Sequence, residues 1–439
     1  MRFPTDFLTF FFLLYCVLYN AFLSVYFIGL KVLRKRSQGG LLRPVANREW
    51  PVITVMVPAL NEEQVIRNTV ERLLALPYPG VLEVLIIDDH SDDRTPEITA
   101  ELQRAHANVD VLHRGVVRSH LGKGDSLNHG VTYLRAHHPN RDLDHWVIGV
   151  FDADGRPVED DMWLQVGQVF VDPKVGAAQC GVRIRNGYHL LAALQDVEFA
   201  TFSFVTQTVR DHTSGAVALG GNGQFIRASV LEQLSRQGAC WDEAALTEDL
   251  DIGIRVHLAG WDVRFLDRWV EQEGVETARA LFRQRHRWAW GTLQVFLRYV
   301  LGRRLWHGPM SLGKRLDLHY YLSFWIVPFV VLGSFLLSLL DLAGVITITN
   351  RFGLTFLLAN SFSFIPMIVL GLAWAKVPVR RMVYLVPLTV IYAYHWIPVL
   401  ILGWVSIIRH KRPKWAKTQR YAMEEPMKEE RYVVKEPVR

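Results

Sequence analysis

Between residues 52 and 152 short apolar runs alternate with longer segments of helical periodicity, and this alternation restricts the fold more than any other feature of the chain. Val52–Pro58, Val81–Ile87, Val109–Leu112 and His145–Phe151 read as buried strands. The segments between them read as helices: Asn61–Leu76 through Val65, Val70, Leu73 and Leu74, a second after Asp93, and a third from Lys123. Asn61, followed by Glu62 and Glu63, predicts a capped helix start with acid in the first turn. Strands and helices in alternation imply a doubly wound parallel sheet with its ligands at the carboxyl ends of the strands. Asn61–Glu63, Asp88–Asp93 and Asp152–Asp154 all fall at such ends, which argues for one shared site.

Asp152 and Asp154 stand two residues apart after an apolar strand, so on extended backbone they can face one spot. That pairing suits a hard divalent cation with a diphosphate behind it. An acidic pair on its own equally describes a solvated loop, and the remainder of the chain has to decide between the two.

Apolar residues make up 50% of the chain and gather at its two ends, which predicts membrane segments flanking a soluble middle. Residues 7–30 are nearly uncharged and long enough to cross a bilayer core of about 30 Å. The basic cluster Lys31, Arg34, Lys35 and Arg36 follows this run instead of preceding it, which argues against a signal peptide and sets the next domain in the cytoplasm. Leu318–Leu340, Phe352–Ala375 and Met382–Ile408 are three more candidate spans. Four spans would put the basic tail from Arg409 outside, against the same rule; a re-entrant or interfacial C-terminal segment would restore agreement. The expected organisation is a membrane helix with basic linker at 1–36, a catalytic domain at 50–285, an amphipathic interface helix at 284–310, membrane helices at 316–409 and a charged tail from 410. A multi-pass protein of the cell membrane with a cytoplasmic catalytic domain follows. The net charge of +6 sits beside apolar segments, which favours lipid headgroups over nucleic acid as the partner. Three cysteines without metal-type spacing agree with a reducing compartment.

Two later segments carry chemistry. Leu246–Trp261 reads as a helix capped by Thr247 and ended by Gly260, with Glu248 and Asp249 in its first turn. Asp249 there is a candidate general base for an acceptor hydroxyl. In Gln284-Arg285-His286-Arg287-Trp288, helical spacing puts Gln284, Arg287 and Trp288 on one face. Arg287 can neutralise a diphosphate and Trp288 can offer a platform to a sugar ring, although the same residues also suit an interfacial helix.

Asp88-Asp89, Lys123-Gly124-Asp125-Ser126-Leu127-Asn128, Asp152-Ala153-Asp154, Thr247-Glu248-Asp249 and Gln284-x-x-Arg287-Trp288 occur in the order found in membrane-bound family 2 glycosyltransferases. The chain resembles that group, which includes cellulose, chitin, hyaluronan and poly-N-acetylglucosamine synthases, over roughly residues 52–290. The resemblance implies an α/β fold of the GT-A type, a Rossmann-like mixed sheet flanked by transmembrane helices, and a nucleotide-diphosphate sugar donor. It implies that Asp88, Asp89, Lys123, Asp125, Asp152, Gln284 and Arg287 bind the donor, with Mg or Mn on Asp152 and Asp154. It also implies catalysis by Asp249 with Glu248 and Arg287, and an acceptor site at Asn222, Gly223 and Trp288. Where cellulose synthases carry a Phe-x-Cys-Gly type loop, this chain has Gly220-Gly221-Asn222-Gly223-Gln224-Phe225. With Glu273-Gly274-Val275, that run also looks like bacterial glucosyltransferases that build glucosyldiacylglycerol. Processive synthesis of an extracellular polysaccharide from UDP-glucose or UDP-N-acetylglucosamine is the leading expectation, with an export or accessory subunit as a partner. Single transfer to a diacylglycerol or polyprenyl phosphate acceptor is the alternative, and a non-enzymatic scaffold is a third reading disfavoured by the intact set of acids.

Overall fold

The computed structural model describes residues 49–115, 121–347, 365–375 and 377–410. The N-terminal apolar run, most of the second C-terminal candidate span and the basic tail lie outside the described residues.

Eight strands form one sheet among the described residues: β1 (Val52–Ala59), β2 (Leu82–Asp88), β3 (Val109–His113), β4 (Trp146–Val150), β5 (Arg156–Pro157), β6 (Val175–Ile184), β7 (Gln224–Arg227) and β8 (Asp262–Gln272). Their spatial order is β3-β2-β1-β4-β7-β6-β8-β5. The first four are mutually parallel, as the alternation predicts. Beyond them β7 runs antiparallel to both β4 and β6, and β5 antiparallel to β8, so the sheet is mixed. Ala59 stands opposite Asp88, and Met56 opposite Val150, which brings the carboxyl ends of β1, β2 and β4 to one edge.

Strand alternation divides the apolar residues between two cores. On one face Ile53, Val55 and Val57 pack with Ile66, Val70 and Leu73 of α1 (Ile66–Ala75), Ile98 and Leu102 of α2 (Thr95–Ala105), and Trp163 and Val166 of α4 (Met162–Phe170). On the other, Met56, Leu85 and Ile87 pack with Leu127, Val131 and Leu134 of α3 (Lys123–His137) and with Ile252 and Val256 of α8 (Glu248–Leu258). Each such buried side chain contributes about 1.5–3 kcal/mol relative to exposure, which makes the sheet edge a firm mount for the loops that leave it.

Two local expectations change. Asn61 does not cap α1, which starts at Ile66; it takes a left-handed conformation (φ 56°) that its short polar side chain tolerates. Its Oδ1 accepts a hydrogen bond from Asp92 N at 2.8 Å, and Glu62 N donates to Thr95 Oγ1 at 2.8 Å, so the loops after β1 and β2 are tied together. Thr247 precedes α8 but makes no side-chain cap, and its Oγ1 is buried without a partner. Gly260 ends that helix as expected, with φ 91° and its N–H on the His257 carbonyl.

After α5 (Leu190–Glu198) the chain continues as a π-helical stretch, Phe199–Val205, and as α6 (Thr206–His212); α7 (Ala228–Leu234) follows β7. Helix α9 (Ala278–Phe296) is capped by Thr277, whose Oγ1 accepts from Ala280 N, and it passes into a π-turn at Leu297–Leu301. It therefore starts before and ends well short of the stretch expected from the sequence; Arg303, with φ 55°, breaks it. Next come α10 (Leu312–Leu322), α11 (Val327–Leu342), α12 (Ile365–Trp374), α13 (Val379–Ala393) and α14 (Trp396–Ile408). Among the described residues two helical stretches, Leu312–Leu342 and Val379–Ile408, are long and apolar enough to cross a membrane. They take in the first and third of the expected C-terminal spans. Ala289 of α9 packs on Val399 and Leu400 of α14, which joins the catalytic domain to the second stretch.

Candidate active site

A cavity of about 830 Å³ opens at the carboxyl edge of the sheet. Asp89, Lys123, Asp152, Asp154, Glu248, Asp249, Gln284, Arg287 and Trp288 all line it, so residues from five separated motifs meet in one place. Lys123, the first residue of α3, is the electrostatic centre: its Nζ donates to Asp152 Oδ1 at 2.5 Å. Burial opposes charge on that amine, but Asp152, Glu248 and Asp249 outweigh it and raise the ammonium above its usual range.

Across from Lys123 the first turn of α8 presents two adjacent carboxyls. Burial pushes Glu248 up to about 7, with Asp249 adding to the shift and Lys123 opposing it. Burial also raises Asp249, against the pull of Lys123. Asp249 Oδ1 accepts from Leu250 N at 2.7 Å. Its Oδ2 leaves no room for a side chain at Gly221, where a Cβ would lie 2.9 Å away and where φ is 82°. From α9, Arg287 reaches the same spot; burial lowers its guanidinium, and Glu248, Asp152 and Asp249 counter that effect.

On the nucleotide side Asp89 forms a buried ion pair with Arg114, which also pairs with Asp125. Asp88 accepts from Ser91 N at 3.1 Å and lies 3.0 Å from His113 Nδ1. Of the acids assigned to the donor, Asp89 and Asp152 line the cavity, whereas Asp88 and Asp125 are buried behind it. Asn222 and Gly223 are likewise set back from the cavity. Asn222 accepts from Asp152 N at 3.2 Å and donates to Gln272 at 2.8 Å, and Gly223 N donates to Val150 O at 2.9 Å. This loop braces the end of β4, and its neighbours Gly220 and Gly221 do the lining. Glu62, from the strand-end cluster Asn61–Glu63, lines the cavity as well, together with Phe199, Tyr321 and Trp396, to which the sequence does not point. Nothing in local pattern ties Tyr321 or Trp396 to residues more than 70 positions away.

The donor set fits Mg or Mn. Asp152 and Asp154 offer hard carboxylate oxygens to the cavity, and Asp154 is fixed by Glu273 N on its Oδ2 at 2.9 Å and by Arg185 on its carbonyl at 2.8 Å. Among the described residues no three His, Cys, Asp or Glu gather into a closed cage, so a cation here would share its shell with a ligand such as a diphosphate.

A mixed α/β sheet thus brings an acidic pair after a central strand, a carboxylate-bearing helix and an Arg-Trp helix to one cavity. The model described as "Glycosyltransferase like family 2" matches residues 51–291, more than half of the chain, and the protein belongs to that family and is a glycosyltransferase. It is 34% identical over 393 residues to a beta-monoglucosyldiacylglycerol synthase of Synechocystis sp., covering 86% of this chain and 76% of that protein. It is 25% identical over 355 residues to a poly-beta-1,6-N-acetyl-D-glucosamine synthase of Staphylococcus epidermidis, covering 79% of each. In fold it is similar to a mannosyltransferase from Pyrobaculum calidifontis solved with GDP-Man and Mn2+, with TM-score 0.53, 16% identity, and 89% and 98% of the two chains covered. The stronger likeness is thus to the lipid-glycosylating relative, and the balance between the two acceptors expected from the sequence moves away from a polymer.

Proposed function

We propose that this protein transfers one hexose, from UDP-glucose as the first donor to test, onto the hydroxyl of a diacylglycerol-type lipid, forming a β-linkage. The observation that carries this reading is the wall facing Asp249. Phe199, Trp288, Tyr321 and Trp396 line it, and the last two belong to the helical stretches of bilayer length. A lipid whose acyl chains stay among such helices can present its headgroup hydroxyl to the base without leaving an apolar environment. The 34% relative that glucosylates diacylglycerol supports the same choice. A position in the cell membrane, with the transfer domain on the cytoplasmic side, belongs to this reading.

In the proposed reaction the acceptor hydroxyl lies against Asp249. Its oxygen attacks the anomeric carbon as Asp249 takes the proton, and the bond from that carbon to the diphosphate oxygen breaks. One in-line displacement turns an α-linked donor into a β-glycoside. Burial favours the protonated form of Asp249, and the Lys123 ammonium partly offsets this by stabilising the ionised base. Arg287 and Lys123 present fixed positive charge to the departing diphosphate. Asp152 and Asp154 would hold Mg or Mn, which supplies charge neutralisation on that leaving group.

The test uses purified full chain in lipid nanodiscs with radiolabelled UDP-glucose, Mg and diacylglycerol. Label extracted into the organic phase as a monohexosyl lipid is expected. Label held at the chromatographic origin and released by glycosidase would instead establish a polymer and overturn the lipid reading.

A further inference from the structure

Arg285 interrupts the functional face of α9 yet is fully buried, at 0% exposure. Its Nη2 pairs with Glu198 Oε2 at 2.6 Å, and its Nη1 donates to Gln284 Oε1 at 2.9 Å. The guanidinium carbon lies 4.0 Å from the ring centre of Trp288, 5.8 Å from Trp396 and 5.9 Å from Phe199. Gln284 and all three rings line the cavity, so one cation sits behind four of its lining residues. Glu198 is held in turn by the C-terminal helices: Tyr392 OH donates to its Oε2 at 2.7 Å and Trp396 Nε1 to its Oε1 at 2.9 Å.

Burying an ion pair is costly, and well-packed apolar residues of similar volume often serve stability as well or better. The pair is better explained by orientation. A planar guanidinium can stack on a ring while donating in two directions, which an ammonium cannot reproduce. We propose that Arg285 is a positioning residue of the transfer reaction: fixed by Glu198, it sets the orientation of the aromatic wall that Phe199, Trp288 and Trp396 present to the acceptor. This rests on the reading of that wall as the acceptor side. The chain of contacts also links the wall to the stretch Val379–Ile408, so acceptor recognition depends on how that stretch is seated.

The test compares Arg285→Lys, Glu198→Gln and the double variant as full chains in nanodiscs, with transfer rates measured against acceptor and donor concentration. Arg285→Lys raises the acceptor KM about tenfold, with the donor KM unchanged and kcat within a small factor. Glu198→Gln does the same, and the double variant is no worse than the poorer single, because both remove one arrangement. A merely structural role would lower the yield of active protein and leave KM alone. Unchanged acceptor KM in Arg285→Lys, or additive effects in the double, overturns the inference. Should Arg285→Lys not fold, Tyr392→Phe decides: it removes one donor to Glu198, and an acceptor KM raised two- to threefold is expected, an unchanged one overturning. Trp288→Ala separates the two levels. If it alters acceptor KM while Arg285→Lys does not, only the positioning role fails; if both are silent, the acceptor wall itself is wrong.

Discussion

The two walls of the cavity handle charge in opposite ways. On the sheet side each acid has a cationic or hydrogen-bonding partner: Arg114 for Asp89 and Asp125, Lys123 for Asp152, backbone N–H groups for Asp88 and Asp154. On the helix side Glu248 is buried with Asp249 half-buried beside it, and both are pushed toward the protonated form. Carboxylates held in place by such partners suit a cation, which can in turn hold the anionic diphosphate. A base that must take up a proton needs the other arrangement, in which ionised and neutral forms lie close in energy. One cavity thus separates holding from reacting by the company each carboxylate keeps.

The sharpest way to break that division is to neutralise the reacting side. Asp249→Asn keeps shape and hydrogen bonding but cannot take a proton, and transfer falls by about 10³-fold or more while UDP binding by calorimetry stays within a few-fold of wild type. Wild-type turnover in that variant would remove Asp249 from the base role. The holding side should fail differently. Asp152→Ala removes a candidate cation ligand together with the partner of Lys123, so cation-dependent UDP affinity drops by about tenfold to a hundredfold. Equal UDP affinity with and without Mn in both proteins would show that the cation is not held there.

How much of this was legible beforehand follows from the range of the forces involved. The parallel half of the sheet and its acidic ends were readable because strand burial and loop chemistry are written within a few residues of each other. Asp89, Lys123, Asp152, Glu248, Asp249, Gln284, Arg287 and Trp288 converge on the cavity as their motifs suggested. Asp88, Asp125, Asn222 and Gly223 look the same in sequence, but they spend their polar groups bracing loops. The difference depends on tertiary partners such as Arg114 and Gln272, which no local pattern announces. Arg285 was passed over for the same reason, since it lies off the face that spacing picks out. The aromatic wall was invisible because Phe199 and Trp396 come together through a fold closing over nearly two hundred residues.

The smallest effect bears most directly on the contrast between the walls. Burial first and the neighbouring Asp249 second push the Glu248 carboxyl up to about 7 from its ordinary value of 4.5. The folded state therefore binds more protons than the unfolded state between those two values, and stability falls as pH rises through that window. Above it the cost is constant. Glu248→Gln removes this group from the balance, so the variant gains on wild type by on the order of 1–3 kcal/mol in going from pH 5 to pH 8. Thermal unfolding at the two pH values reads the difference directly. A variant whose unfolding tracks wild type at both pH values would mean that Glu248 is not pushed toward its protonated form, and the distinction between a holding and a reacting wall would then rest on Asp249 alone.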